Sequence, residues 1–485
     1  MGRGGVLSTM RAAKMLLSIL AFSLPVMIAG CSPYCGTQPD EEAAFGAPPA
    51  KGCKVYSPSG DPQKDVPFMT RSETQTEDGI TVTAAVPSDQ ENERIFGFNL
   101  GGKGVQPVWI EVRNDSANPV TLVYVAMDPE YYPPNEAAYT NHGFANPTNK
   151  DITEYFNDQS TARVIPPGGE ISGFFFAEWD PGIKYIDVNV FGENRYHNFM
   201  FYFVVPGIKL DYQRVDWDNI YKEDEYVNYE TEEELRQALE SFPCCATRKD
   251  GTGENDALNF FVVGDTDDIV ASFIRRGWDV TEPINASSGW RAFKAYFTGK
   301  RYRTSPMSSI FVFKRPQDIG LQKARSSIHE RNHLRLWLMP VRYKGMDVWV
   351  GSVSRDVGSY MTFRTPWLSA HAIDPDLDEA RTYLEQDLLF SGGVKKFGYV
   401  KGIRPSTPDD PHWNFMKQPW WTDGYRTVFL FGDDLTSLNE VEIFEWEWAG
   451  ENSEEVIEYL KGAEAARRNA GGLSQPSIED NTEAD

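Results

Sequence analysis

Basic residues are scarce in this sequence relative to acidic ones, and the imbalance excludes one class of partner. The 485 residues include 47 lysines and arginines against 71 aspartates and glutamates, so the formal net charge is −24 at pH 7. Removing residues 1–30, which hold three basic residues and no acidic ones, moves that charge to −27. Proteins that bind nucleic acid carry basic stripes that neutralise phosphates. We therefore expect no nucleic-acid partner.

Long hydrophobic runs are also lacking, and the apolar run at residues 15–27 is too short for a membrane-spanning helix. Basic residues precede it and small residues follow it, which is typical of a signal peptide. The run ends in IAGC, which resembles a bacterial lipobox, so a signal peptide over 1–30 and a lipid anchor on Cys31 are predicted. An ordinary secretory signal is the alternative. Ser32 resembles the residue that directs lipoproteins of Gram-negative bacteria to the outer membrane.

Cysteine is rare as well, with five residues in the whole chain. Outside the cytoplasm a disulfide persists, and we expect Cys35 and Cys53 to form one within a segment rich in Pro, Gly and Ala. Cys244 and Cys245 are neighbours, and their spacing is not that of a tetrahedral zinc site. They form a redox-active disulfide, pair elsewhere, or are two packed thiols; the sequence leaves these alternatives open.

Several domains are predicted. Residues 31–70 are a tether, 209–228 an acidic linker, and 451–485 an acidic helix with a disordered tail. Over 71–208, short β-branched or aromatic segments alternate with Gly, Pro and Asn turns and show hardly any helical period. This pattern predicts an all-β sandwich of immunoglobulin-like kind.

Residues 229–450 alternate strand and helix patterns, which predicts an α/β (α+β) domain. Its centre is the strand 331–339, in which leucines alternate with His333, Arg335 and Trp337 and therefore occupy the opposite face. A returning strand from Met346 is expected to pass into a polar loop by Gly358. A helix is expected from Pro375, capped by Asp374.

Four segments of this region, in this order, resemble the LssY-type C-terminal domain: LNFFVVGDTDDIVASFIRRGW, RNHLRLW, VWVGSVSRDVG and HAIDPDLDEARTYLEQDL. The resemblance covers residues 240–402. It implies no particular reaction, because that family has no established activity. Similar domains occur in bacterial envelope proteins.

One metal motif needs to be weighed. His329, Glu330 and His333 fit the H-E-x-x-H pattern, in which two histidines one helical turn apart bind zinc. Here His333 belongs to an alternating strand, where four residues span roughly 13 Å, too far to share one ion. We therefore predict no metal and no cofactor.

A second constellation has residue types suited to acid–base chemistry or to binding an anion. The candidate site residues are His333, Arg335, Asp356, His371, Asp374 and Asp378. The alternative is a structural network, with Asp374 as a helix cap, Asp378 and Arg381 as a pair on the helix surface, and His333 tied to backbone. Nucleophile-elbow, phosphate-loop and dinucleotide-binding patterns are lacking.

Two function classes follow. In the first, the protein is a lipid-anchored envelope protein, on the periplasmic or outer face of the outer membrane, with a binding or accessory role toward an envelope protein partner. In the second, it is a hydrolase that acts on an envelope lipid or glycan through the His/Asp/Arg constellation.

Overall fold

A computed structural model describes most of the chain beyond residue 66. The described residues are 67–124, 131–144, 146–192, 194–285, 288, 291, 302–324, 331–361, 369–432 and 434–447. The predicted lipid anchor Cys31, the predicted Cys35–Cys53 bridge and His329 lie outside them. Within them, every helix is too short or too polar to cross a membrane.

In the first folded region, residues 67–208, the described residues form eight strands and three α-helices. The strands are β1 (Glu73–Glu77), β2 (Ile80–Ala85), β3 (Val105–Asn114), β4 (Val120–Tyr124), β5 (Val164–Ile165), β6 (Gly169–Glu178), β7 (Ile183–Gly192) and β8 (Arg195–Val204). The helices are α1 (Asp89–Phe96), α2 (Pro134–Tyr139) and α3 (Asn149–Gln159). The strands form two sheets, in the orders β1-β2-β3-β6 and β5-β4-β7-β8, and all neighbours are antiparallel.

Both sheets contribute to one apolar core, and the alternation of β8 shows why. Phe199, Phe201 and Phe203 of β8 are buried, whereas the residues between them are more exposed, as expected of a strand with one covered face. The prediction that this region is rich in short strands is confirmed. The expectation of hardly any helix was wrong, because α1 to α3 pack a second apolar cluster around Phe96 and Phe156.

The second folded region consists mainly of one large sheet. Its strands are β9 (Val227–Tyr229), β10 (Phe260–Val263), β11 (Asp279–Val280), β12 (Phe311–Val312), β13 (Arg315–Pro316), β14 (Ile319–Ala324), β15 (Arg331–Tyr343), β16 (Met346–Met361), β17 (Ser369–Ile373), β18 (Val394–Lys401), β19 (His412–Trp413), β20 (Pro419–Trp420), β21 (Tyr425–Phe431) and β22 (Glu442–Ile443). Its helices are α4 (Glu232–Glu240), α5 (Thr266–Arg275) and α6 (Leu377–Leu389). The ten-stranded sheet has the order β11-β14-β15-β16-β10-β21-β18-β22, with β17 beside β16 and β9 beside β15.

The leucine alternation correctly predicted two different faces around β15, and the structure covers both of them. Leu334, Leu336 and Leu338 belong to one apolar core, and Trp337 and Met339 to another on the opposite face. The returning strand from Met346 is confirmed, but the prediction that it passes into a polar loop by Gly358 was wrong. Strand β16 instead continues to Met361, and its outer half pairs with the antiparallel strand β17.

The segment between the two regions lies against the second sheet. Trp217 packs on Trp349, with ring centroids 5.9 Å apart, and the Tyr221 hydroxyl donates to the Leu338 carbonyl at 3.1 Å. Arg303 of the second region donates to the Trp179 carbonyl of the first at 2.7 Å. The predicted domain boundaries, including the 209–228 linker, stay predictions.

Candidate functional site

Strands β15, β16 and β17 bring the central candidate residues together. Because side chains two apart share a face of a strand, Arg331, His333 and Arg335 lie on the same face as Trp337. The antiparallel register places Ser354 opposite His333 and Ile373 opposite Asp356. A β-bulge directly after Asp356 shifts the pairing with β17, and such bulges redirect side chains.

The carboxylate of Asp356 is the centre of this arrangement. Its Oδ2 atom lies 3.0 Å from His333 Nε2, 3.2 Å from His371 Nδ1 and 3.3 Å from Arg331 Nε. The Asp356 side chain is only 1% exposed, whereas His371 is 26% exposed. We call these four residues the Asp356 cluster. At His333 the contact is mainly electrostatic, because its Nε2 is close to the carboxylate without forming a well-aligned hydrogen bond.

The charges in the Asp356 cluster are set by burial and by mutual attraction. Burial alone would raise the pKa of Asp356, but His333, His371 and Arg331 together lower it to about 2. Burial lowers the pKa of His333 to about 4, and the attraction of Asp356 only partly offsets this. At neutral pH the cluster therefore holds an ionised Asp356 and a neutral His333.

Neighbouring side chains complete the network. Arg331 donates to the Gln322 side chain at 2.7 Å, and its second amino group lies 3.4 Å from His371 Nε2. Arg335, the remaining candidate of this strand, donates to the Ser308 carbonyl at 3.2 Å. Burial lowers the pKa of Arg335, and the charges of Asp256 and Asp356 oppose that shift. Arg335 therefore interacts electrostatically with the Asp356 cluster without being one of its members.

The other two candidates lie elsewhere. Asp374 accepts a hydrogen bond from the backbone of Asp376 at 3.1 Å, and Asp376 is the residue that caps α6, by accepting from the Asp378 backbone at 3.2 Å. The predicted cap was therefore two residues too early, because Asp374 forms a turn of its own before the helix. The predicted surface pair of Asp378 and Arg381 was also wrong, since both are buried.

Asp378 belongs to a second buried network, which we call the Arg381 cluster. Arg381 donates to both carboxylate oxygens of Asp423, at 2.8 and 2.5 Å, and lies 3.4 Å from Asp378 and from Glu385. Asp378 accepts from the Thr422 hydroxyl at 2.8 Å and the Asp423 backbone at 2.7 Å. Burial raises the pKa of Asp378 to about 6; Arg381 opposes this shift and Asp423 adds to it.

Sequence reasoning missed three members of these clusters. Arg331 precedes His333 by two residues and therefore lies on the same face of the strand as His333 and Arg335. The alternation that singled out those two residues also includes Arg331. Glu385 follows Arg381 by one helical turn, a spacing at which opposite charges meet. Asp423 lies 42 residues beyond Arg381, and no local pattern connects the two.

The Asp356 cluster is a poor cation site, because the Arg331 guanidinium approaches the same carboxylate oxygen as both imidazoles.

Of the alternatives for Cys244 and Cys245, the structure has a disulfide between the two neighbours. Cys245 is buried beside Ile403 and Trp420.

Comparison with known families identifies the second region. The family model described as LssY C-terminus matches residues 236–425, a longer stretch than the 240–402 expected from sequence. This part of the chain is therefore an LssY C-terminal domain, and it contains both the Asp356 cluster and the Arg381 cluster. No curated protein matches the chain.

Proposed function

We propose that this protein is a lipid-anchored bacterial envelope protein whose LssY C-terminal domain has a binding or accessory role. In this proposal Cys31 carries the acyl chains and Ser32 directs the protein to the outer membrane. Residues 31–70 are the tether that holds the folded regions away from the membrane, and the partner is another envelope protein. The first region is an immunoglobulin-like sandwich, supported by its two antiparallel sheets around a shared core.

The observation that carries the binding role is the arrangement of the polar candidates. The Asp356 carboxylate is buried, and the charged or polar groups that surround it are those of Arg331, His333 and His371. Asp374 and Asp378 serve a turn and a different network. Catalytic groups that act on one substrate have to converge on a shared cleft. With Arg335 bound to the Ser308 carbonyl, the six candidates are divided between four local roles, as expected of groups that stabilise the domain.

One observation favours the hydrolase as a second candidate. His371 is held by a carboxylate at Nδ1 while its side chain is 26% exposed, which is the way a carboxylate orients a histidine for proton transfer. A substrate would have to replace the contact between Arg331 and His371 Nε2. In this reading Arg331 would bind an anionic group of the envelope lipid or glycan.

Labelling with a palmitate analogue tests the anchor. We expect incorporation and membrane retention in the wild type and in a Cys35→Ser control, and loss of both in Cys31→Ser. Equal labelling of the Cys31→Ser protein would contradict the proposed anchor.

Product release tests the role of the domain. The purified protein is incubated with envelope lipid and glycan extracts, and fatty acid, phosphate and reducing sugar are measured. The binding role predicts the same low background for wild type, His371→Gln and Asp356→Asn. Product formed by the wild type and abolished in both variants would replace the proposal with the hydrolase.

A further inference from the structure

A buried histidine in the first region faces two carboxylates without bonding to either. His197 of β8 is 2% exposed, and its Nδ1 atom lacks a hydrogen-bond partner among the described residues. That atom lies 3.8 Å from Glu77 Oε2 and 3.7 Å from Asp78 Oδ2. An unpaired buried nitrogen lowers the stability of a protein. A bound ion between His197 and the two carboxylates would give this nitrogen a partner.

The fold brings these three residues together at the edge of the two sheets. Glu77 is the last residue of β1, and Asp78 follows in the tight turn to β2, with a φ of 49°. Strand β1 belongs to one sheet and β8 to the other. The set therefore consists of two exposed carboxylates from one sheet and one buried imidazole from the opposing sheet.

The distances fit ligands of one metal ion better than hydrogen-bonded partners. A nitrogen and an oxygen that share a hydrogen bond lie about 2.7–3.2 Å apart. Ligand atoms bound tetrahedrally at about 2.0–2.1 Å from zinc lie roughly 3.3 Å from one another. The observed separations of 3.7 and 3.8 Å need only a small inward movement of the exposed carboxylates to reach that value.

We propose that Glu77, Asp78 and His197 bind a divalent transition metal, with zinc as the preferred ion. One imidazole and two carboxylates suit zinc, whereas calcium and magnesium prefer oxygen ligands alone. Water completes the coordination. The bound ion joins the β1–β2 turn to β8 and so ties the two sheets together at an edge that both leave open.

Arg195 provides a way to distinguish zinc bound at this site from zinc bound nonspecifically. Its guanidinium forms an ion pair with the same Asp78 oxygen that lies near His197. The metal and Arg195 therefore compete for Asp78. Replacing Arg195 with glutamine should strengthen zinc binding, although it removes an ion pair from the protein.

The test measures zinc affinity of the full chain in detergent by competition with a chromophoric chelator. We expect one zinc per chain at micromolar affinity or better, weaker binding by at least about tenfold in Glu77→Gln and in His197→Gln, and tighter binding in Arg195→Gln. Zinc should also raise the unfolding temperature of the wild type. Cobalt bound in place of zinc should show visible absorption bands that Glu77→Gln lacks.

Controls separate this site from others in the chain. Asp115→Asn changes another exposed carboxylate of the first region, and His142→Gln another histidine there. His371→Gln tests the Asp356 cluster. All three should bind zinc like the wild type. Undetectable zinc binding by the wild type, or full binding by the exposed variant Glu77→Gln, would overturn the proposal whether or not His197→Gln folds.

Discussion

The two buried networks of the LssY C-terminal domain are built from similar residues but have opposite charge balances. The Asp356 cluster places one guanidinium and two imidazoles around a single carboxylate. The Arg381 cluster places three carboxylates around a single guanidinium. Burial is comparable, since Asp356 and Asp378 are 2% and 5% exposed.

The difference shows that a buried acid stays ionised only where the neighbouring positive groups together outweigh the effect of burial. Excess positive charge lowers the pKa of Asp356 to about 2 even though it is buried. At Asp378 burial is the largest influence and raises the pKa to about 6, because the opposing effect of Arg381 is partly cancelled by Asp423. Asp356 therefore stays ionised in moderate acid, whereas Asp378 takes up a proton at about pH 6.

Removing the guanidinium of each cluster should lower the free energy of unfolding more than the other changes do, and by different amounts in the two clusters. Arg381→Met leaves three buried carboxylates without a counter-charge, so we expect a loss of about 3–5 kcal/mol in the free energy of unfolding at pH 7. Arg331→Met should cost less, because a histidine beside Asp356 is able to gain a proton. Urea denaturation of both variants measures the difference, and a larger loss in Arg331→Met would reverse the comparison.

Apolar and polar positions of β15 provide the second test. Leu336 is fully buried in the core, so Leu336→Ala should cost about 2–5 kcal/mol of unfolding free energy. His333→Ala should cost less if the histidine serves a site. The two variants are compared by the same urea titration. Should both unfold equally readily, His333 is a structural residue and the hydrolase loses support.

The pH dependence of stability should separate the clusters. The folded pKa of His333 is lowered from 6.5 to about 4, so acid protonates the unfolded chain first and stability falls between those values, by roughly 3 kcal/mol. Asp378 acts in the opposite direction. Its folded pKa is raised from 3.8 to about 6, so the stability it contributes grows as pH falls through that interval.

Unfolding free energies measured from pH 3 to 8 in two variants isolate these contributions. His333→Gln should flatten the loss of stability below pH 6.5. Asp378→Asn should steepen the loss between pH 6 and 4. Profiles parallel to that of the wild type would show that neither group titrates as inferred.

An exposed ion pair supplies the smallest effect and the baseline. Arg113 and Asp115 lie 2.8 Å apart, but each side chain is 53% exposed. Because water screens such pairs, a double-mutant cycle with Arg113→Ala and Asp115→Ala should give a coupling energy of at most about 1 kcal/mol. A value as large as that of the buried pair Arg381 and Asp423 would mean that burial contributes little to either network.

Much of the second region followed from local sequence patterns. The leucine alternation of β15 predicted which face each side chain occupies, and the helix from Pro375 was placed within two residues of its start at Leu377. In the first region, by contrast, helix α1 was missed, although Ser88 and Glu91 form a capping box that is visible in the sequence. The LssY resemblance, based on four segments in order, was confirmed.

Site membership was harder to predict, because it depends on contacts between distant residues. His333 and Asp356 were chosen together and do meet, since adjacent antiparallel strands connect them. Asp378 was assigned to the same site, but a helix carries it away from β15 toward the loop before β21. The bulge after Asp356 is another feature that the residue pattern did not reveal.

The sequence by itself determined the features that arise from neighbours along the chain: the face of each β15 side chain, the presence of α6, the acidic charge and the candidate lipobox. Only the tertiary structure decided which charges share a carboxylate. Arg331 meets Asp356 across 25 residues and Arg381 meets Asp423 across 42. The physical reason is that side-chain direction follows local backbone geometry, whereas the pKa of a buried group depends on whatever charge the whole fold places beside it.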